Sequence, residues 1–151
     1  MKIVTVNEKS EEKFLRQKTK PFDFSQHSRE EIRKLVKEMR ALMEKLDGIG
    51  LAANQVGLDY QMFVAQVDGK FYAVFNPEIT KVSKETDVLE EGCLSIPGIY
   101  DEVKRPDRVV IQGYDKNGKK LKIKAWGLLA RVFQHEVDHL DGKFFLDRVK
   151  K

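Results

Sequence analysis

The sequence predicts an α+β fold: a mostly antiparallel sheet with one helix before it and one after it. Three patterns predict this. An apolar stripe at helical spacing follows Ser28, two strand pairs closed by short polar turns lie between Met62 and Ala125, and a second helical segment runs from Gly127 to Leu140. Strands joined by hairpins pair antiparallel, and helices placed outside the run of strands indicate α+β rather than alternating α/β. With 151 residues the chain has the length of one compact domain, expected to span 1–151.

Residues 10–27 are charged and irregular, punctuated by Pro21. At Ser28 a helix is expected to begin, because Ser28 and Glu31 have capping-box spacing. Ile32, Leu35, Val36, Met39, Leu42, Met43 and Leu46 then form one apolar stripe, and Asp47-Gly48 ends it. The role expected for this helix is core packing. Met62–Val67 and Phe71–Phe75 flank Asp68-Gly69, a hairpin signal. Asn76-Pro77 is expected to stop the second strand, with a short strand near Ile79–Val82 after it. Val109–Tyr114 and Lys119–Ala125 flank the turn residues 115–118. Leu121, Ile123 and Ala125 alternate with Lys120, Lys122 and Lys124, so one face is buried and the other wet. The last helix stops at Asp141-Gly142.

Composition removes several classes of function. Hydrophobic residues at 41% and charged residues at 34% describe ordinary globular material, and no run approaches the ~20 apolar residues of a bilayer helix. One cysteine excludes an intramolecular disulfide framework and a four-cysteine zinc site. The N-terminal MKIVTVNEKS lacks the apolar region of a signal peptide, so a cytoplasmic protein is expected. The net charge of +4 is mild and spread out: a solvated surface that still permits transient contact with an anionic body such as a ribosome. No motif for specific nucleic-acid binding is present.

The chemistry is concentrated in His135-Glu136-Val137-Asp138-His139. Residues four apart share a helix face, so both imidazoles can reach one metal ion, and Glu136 can accept a proton from a metal-bound water. The plain alternative is two helix histidines with ordinary hydrogen bonds. A catalytic site of this kind takes a third protein ligand. Phe145 stands where a downstream histidine would fall in a metzincin, Asp141 reads as a helix-end group, and Asp147 is a weak candidate. Cys93 is the best upstream candidate, since a thiolate with two imidazoles suits softer metals; alone it would read as a small buried hydrophobe. Glu91 is a candidate to orient a ligand imidazole, or else a surface glutamate. In Gly48–Gly57, Gln55 could supply an amide donor to an oxyanion. A phosphate cradle there lacks the lysine it needs, and a simple helix-to-sheet connection fits equally.

Three segments together resemble the peptide deformylase family: Gly48-Ile49-Gly50-Leu51-Ala52-Ala53-Asn54-Gln55, Glu91-Gly92-Cys93-Leu94-Ser95, and His135-Glu136-Val137-Asp138-His139. The resemblance implies that family's fold, the antiparallel sheet packed around a C-terminal metal-binding helix. It also implies a hydrolase that removes the formyl group from the N-terminal methionine of nascent polypeptides and releases formate. Carried over by motif, Cys93, His135 and His139 bind one divalent metal ion. Ferrous iron is expected natively, with zinc, nickel or cobalt as substitutes. Water on that metal would attack the formyl carbon, with Glu136 as base and then acid. The Leu94 backbone N–H and the Gln55 side chain would stabilise the oxyanion. The peptide would lie along Gly48–Gly50 as an added strand, with Gly92 on its other side and Ile49, Leu128 and Val132 lining the methionine pocket.

Four departures from the family pattern stand out. Asn54 occupies a position where proline is common, a change expected to act on rigidity rather than chemistry. Arg131 lies one turn before His135 where an apolar residue would suit the pocket; its head group is expected either in solvent or on a substrate carboxylate. Tyr100 replaces a pocket-edge arginine of some members. The chain ends at Lys151, without the further helix that several members carry. Two other functions use the same motifs: a metallopeptidase or other amidase, and a metal-binding module without turnover.

Overall fold

The computed structural model describes residues 1–149. Its strands are β1 (Gly50–Ala52), β2 (Met62–Val67), β3 (Lys70–Val82), β4 (Thr86–Cys93), β5 (Ile96–Pro106), β6 (Arg108–Tyr114) and β7 (Lys120–Trp126). The helices are α1 (Lys9–Leu15), α2 (Arg29–Lys45) and α3 (Gly127–Leu140). Five strands form one sheet in the order β1-β2-β3-β6-β7, all neighbours antiparallel, while β4 and β5 make a separate two-stranded ribbon. This is the expected α+β architecture.

The local signals act as expected. Ser28 Oγ accepts from Glu31 N at 3.1 Å and Glu31 Oε1 accepts from Ser28 N at 2.9 Å, closing the capping box of α2. Asp68 and Gly69 both take positive φ, 52° and 77°, the backbone that a two-residue hairpin turn requires. In the second hairpin the Asp115 carboxylate accepts the N–H groups of Asn117 and Lys119.

Two helices cover opposite faces of the sheet, so the central strands are buried on both. Met62 and Val64 of β2 join Ile32, Val36, Met39 and Met43 of α2 in one cluster. Phe63, Ala65 and Val67 join Ala130, Val132, Phe133 and Leu140 of α3 in the other. Each fully buried large apolar side chain contributes about 1.5–3 kcal/mol. The exposed helix pairs Lys34–Glu38 and Arg40–Glu44 contribute about 0–1 kcal/mol each. Packing therefore holds α2 in place. A third cluster of Leu15, Ile96, Val103, Phe144 and Phe145 seats the β4–β5 ribbon against α1 and the segment after α3.

Three expectations need correction. The stretch 10–27 is not wholly irregular, because Lys9–Leu15 is helical; only Leu15 is buried there, so one contact replaces a readable stripe. Asn76-Pro77 does not end the strand. β3 continues to Val82 through register shifts, with Asn76 at φ 50° and its carboxamide bonded to the N–H and C=O of Phe22. The strands of the ribbon 86–106 carry no strand signal in the sequence, since β4 is exposed along most of its length and shows no apolar alternation.

Candidate active site

α3 packs against the sheet and aims His135 and His139 at the end of β4, where Cys93 is the last residue. Cys93 Sγ lies 3.1 Å from His139 Nε2, which lies 3.1 Å from His135 Nε2. Among the described residues, Cys93, His135 and His139 form a group whose donor atoms all lie within 4.8 Å of one another. The helix accounts for the histidine pair, and the end of β4 brings in the thiol, 46 residues from His139.

A buried charge network stands behind these donors. Glu91 Oε1 lies 2.9 Å from His135 Nδ1, and the same carboxylate accepts Arg105 Nε at 2.6 Å, Arg105 Nη2 at 2.9 Å and Arg131 Nη1 at 2.5 Å. Arg105 also donates to Asp138 at 3.0 Å, and Asp138 accepts Arg148 from outside. Burial works to raise the Glu91 pKa, but hydrogen bonds from His135 and Arg105 hold it down at about 2. Burial likewise opposes charge on His135, yet Cys93, Glu91 and Glu136 raise it to about 10. His139 is held well below the usual value by burial and by His135. Burial pushes Glu136 up to about 7 against the pull of His135.

A divalent ion fits these residues. Cys93 and Glu91 favour positive charge on His135, and metal binding competes with protons for the same donor atoms. A thiolate and two imidazoles suit zinc, iron and related metals. Glu136 adds a buried Oε1 without a partner among the described residues, and burial and His135 disfavour a proton on the His139 ring.

Cys93 and His135 open onto a cleft of about 640 Å³ between α3, β1 and the β4–β5 ribbon. Ile49, Gly50, Gln55, Glu91, Gly92, Cys93, Leu94, Leu128, Val132, His135 and Glu136 all line it. His139 lies behind them, 1% exposed. β1 is the edge of the sheet. The Ile49 carbonyl accepts Gln66 N–H from the sheet side, so by alternation the Gly50 main-chain groups face the open edge. Gln55 Oε1 accepts Ala52 N–H at 2.9 Å, which turns its Nε2 toward Ser95 Oγ at 3.1 Å and Cys93 Sγ at 3.4 Å.

Two glycines of the cleft, Gly50 and Gly92, have close neighbours where a side chain would start. A Cβ on Gly92 would collide with the Tyr100 ring, and one on Gly50 would collide with the Glu136 carboxylate. Gly50→Ala is therefore expected to displace Glu136. A displacement near 1 Å can cost about 100-fold in rate, so turnover should fall by that order while metal content stays at the parent's level. Comparing turnover with metal content by elemental analysis checks this.

Some expectations about single residues do not hold. Arg131 neither reaches solvent nor waits for a substrate carboxylate: it is buried, with its donors on Glu91, the Val103 carbonyl and the Asp87 carbonyl. Asp147 is no ligand; it pairs with Arg16 and accepts Phe144 N–H. Asn54 is fully buried and donates to the His139 carbonyl at 2.6 Å, so it touches the site directly. Sequence reasoning missed Arg105, Asp138 and Ser95. Arginine and aspartate ordinarily read as surface, and only the partners reveal them.

A helix and a strand end that converge a thiol and two imidazoles on one point, with a buried carboxyl beside them, have the make-up of a metal-dependent hydrolase. A family model described as polypeptide deformylase matches residues 1–151. A peptide deformylase of Treponema pallidum is 50% identical over 120 residues, 80% of this chain and 74% of that protein. A rice protein named peptide deformylase 1B, chloroplastic, is 50% identical over 123 residues, 78% of this chain and 46% of that one. The crystal structure of peptide deformylase from Thermotoga maritima superposes with a TM-score of 0.90 at 37% identity, covering 99% of this chain and 97% of that chain. The chain belongs to the polypeptide deformylase family, enzymes that remove the N-formyl group from nascent chains.

Proposed function

We propose that Cys93, His135 and His139 hold one divalent ion, ferrous iron natively, and that Glu136 moves the protons of formyl-methionine hydrolysis. The observation that carries this is the convergence of the three donor atoms within 4.8 Å, beside the buried Glu136 carboxyl. When bound, the ion supplies a Lewis acid that polarises the formyl carbonyl and lowers the pKa of a coordinated water from 15.7 to about 7.

The protein's own groups do the rest. Glu136, with its pKa near 7, is balanced to take a proton from the attacking water and return it to the leaving amine. Gln55 Nε2 and the Leu94 backbone N–H donate to the formyl oxygen as it gains negative charge. Glu91 fixes the His135 ring through Nδ1, setting its tautomer so that Nε2 faces the ion. The peptide pairs as an added strand with the open edge at Gly50, and Gly92 approaches from the ribbon side. Ile49, Leu128 and Val132 receive the methionine side chain.

The described residues hold no helix long and apolar enough to cross a membrane. We place the activity in the cytoplasm, with transient ribosome contact as the nascent chain is met. The chloroplastic rice relative makes an organelle the alternative destination. The test is formate release from a short formyl-methionyl peptide by protein purified without oxygen. Metal-dependent release is expected, and Cys93→Ala should lose its metal to a chelator markedly faster than the parent. Absence of release from folded, metal-loaded protein would refute the substrate assignment. Unchanged metal retention in Cys93→Ala would refute the thiol as ligand.

A further inference from the structure

The two ligand histidines of the reading above are held differently. His135 is oriented through its ring, because Glu91 meets Nδ1 at 2.9 Å. His139 has no such grip: its Nδ1 is buried without a partner among the described residues. Its backbone is gripped instead. Asn54 Nδ2 donates to the His139 carbonyl at 2.6 Å, adding a second donor to an oxygen that already accepts Gly142 N–H at 3.0 Å. The Asn54 Oδ1 end is buried without a partner among the described residues, which use only the donor half of this amide.

Asn54 belongs to the short 3-10 turn Ala53–Val56 that follows β1, and the next residue in that turn is Gln55, which reaches the Cys93 thiol at 3.4 Å. Adjacent residues of one turn therefore hold the backbone of one ligand residue and the side chain of another. The turn is fixed at its own end too, since Gly57 N–H bonds the Asn54 carbonyl and Val4 N–H bonds the Gln55 carbonyl.

We propose that Asn54 is a positioning residue: by tying the end of α3 to the turn that carries Gln55, it sets His139 relative to Cys93 and to the oxyanion donor. It rests on Cys93, His135 and His139 being the ligands. The last turn of α3 provides an internal control. Thr19 donates N–H and Oγ1 to the neighbouring Leu140 carbonyl at 2.8 and 2.9 Å, capping the same helix without any bond to the Gln55 turn.

The test uses the cobalt(II)-loaded protein with Asn54→Ala, Asn54→Ser and Thr19→Val. Both shortened side chains at position 54 fall short of the His139 carbonyl, and the serine variant serves if the alanine variant does not fold. Loss of an outer partner of a metal ligand typically weakens retention 10–100-fold. The Asn54 variants are expected to release cobalt to excess chelator at least ~10-fold faster and to shift its visible bands. Their kcat should fall with KM for the peptide held. Thr19→Val should lower thermal stability comparably and leave the bands and the release rate at the parent's values. Parent-like bands and release in the Asn54 variants, or the same change in Thr19→Val, would reduce Asn54 to a helix cap and overturn the proposal. If the parent takes up no stoichiometric cobalt, or Cys93→Ala binds it equally well, the ligand assignment fails first and the proposal falls with it.

Discussion

Glu136→Gln is expected to keep its metal and lose turnover by about 100- to 10,000-fold, the usual range for removing a positioned acid–base group. The carboxyl lies outside the convergent donor group of Cys93, His135 and His139, so an amide in its place removes no metal donor. Glutamine preserves the size of the side chain beside Gly50 and has similar helix propensity, so α3 should persist. What the amide lacks is a protonation equilibrium: burial holds the glutamate near pKa 7, where it can both take and return a proton. Formate release and metal content measured on the same preparation separate the two functions. Parent-like turnover would assign the base elsewhere; loss of metal with turnover would make Glu136 part of the ion's binding site.

Glu91→Gln should be the most destabilising single change at the site. Its carboxylate accepts from Arg105, Arg131 and His135 at once, and both guanidinium groups are buried. Removing one partner of a buried ion pair costs about 3–5 kcal/mol, because the remaining charge stays desolvated. Against a total stability of about 5–15 kcal/mol, that is a large fraction. Asp138 still meets Arg105 at 3.0 Å, and the Val103 and Asp87 carbonyls still accept from Arg131, which keeps the loss from being larger. The variant should also retain metal 10–100-fold less well, since the His135 ring exchanges a charged carboxylate acceptor for a weaker neutral amide oxygen. Denaturant unfolding of the metal-free protein isolates the first effect. A change below about 1 kcal/mol would mean that Asp138 and the carbonyls suffice to hold both arginines.

The sequence by itself determined what depends on neighbours along the chain. Helical geometry places His135 and His139 one turn apart on a single face. Ser28 and Glu31 cap α2 within three residues of each other, and Asp68-Gly69 turns β2 into β3 with the φ values its own backbone allows. The motif order around Gln55, Cys93 and Glu136 points to the family from the sequence alone; that Ile49, Gly50, Gly92, Leu128 and Val132 share one cleft is the work of the fold.

Tertiary structure alone decided which charges are buried and what they meet. Arg105 and Arg131 belong to residue types that normally face water, and no local pattern distinguishes them from the other cations of the chain. They are interior because Glu91, from a different strand, compensates both, and because α3 packs over the ribbon that carries Glu91. Asn54 reads as a local substitution until the fold sets it against the end of α3, 85 residues away. The physical reason is the same in each case. A periodic pattern records how a segment meets its immediate neighbours, whereas the cost of burying a polar group is offset by partners that only folding brings within reach.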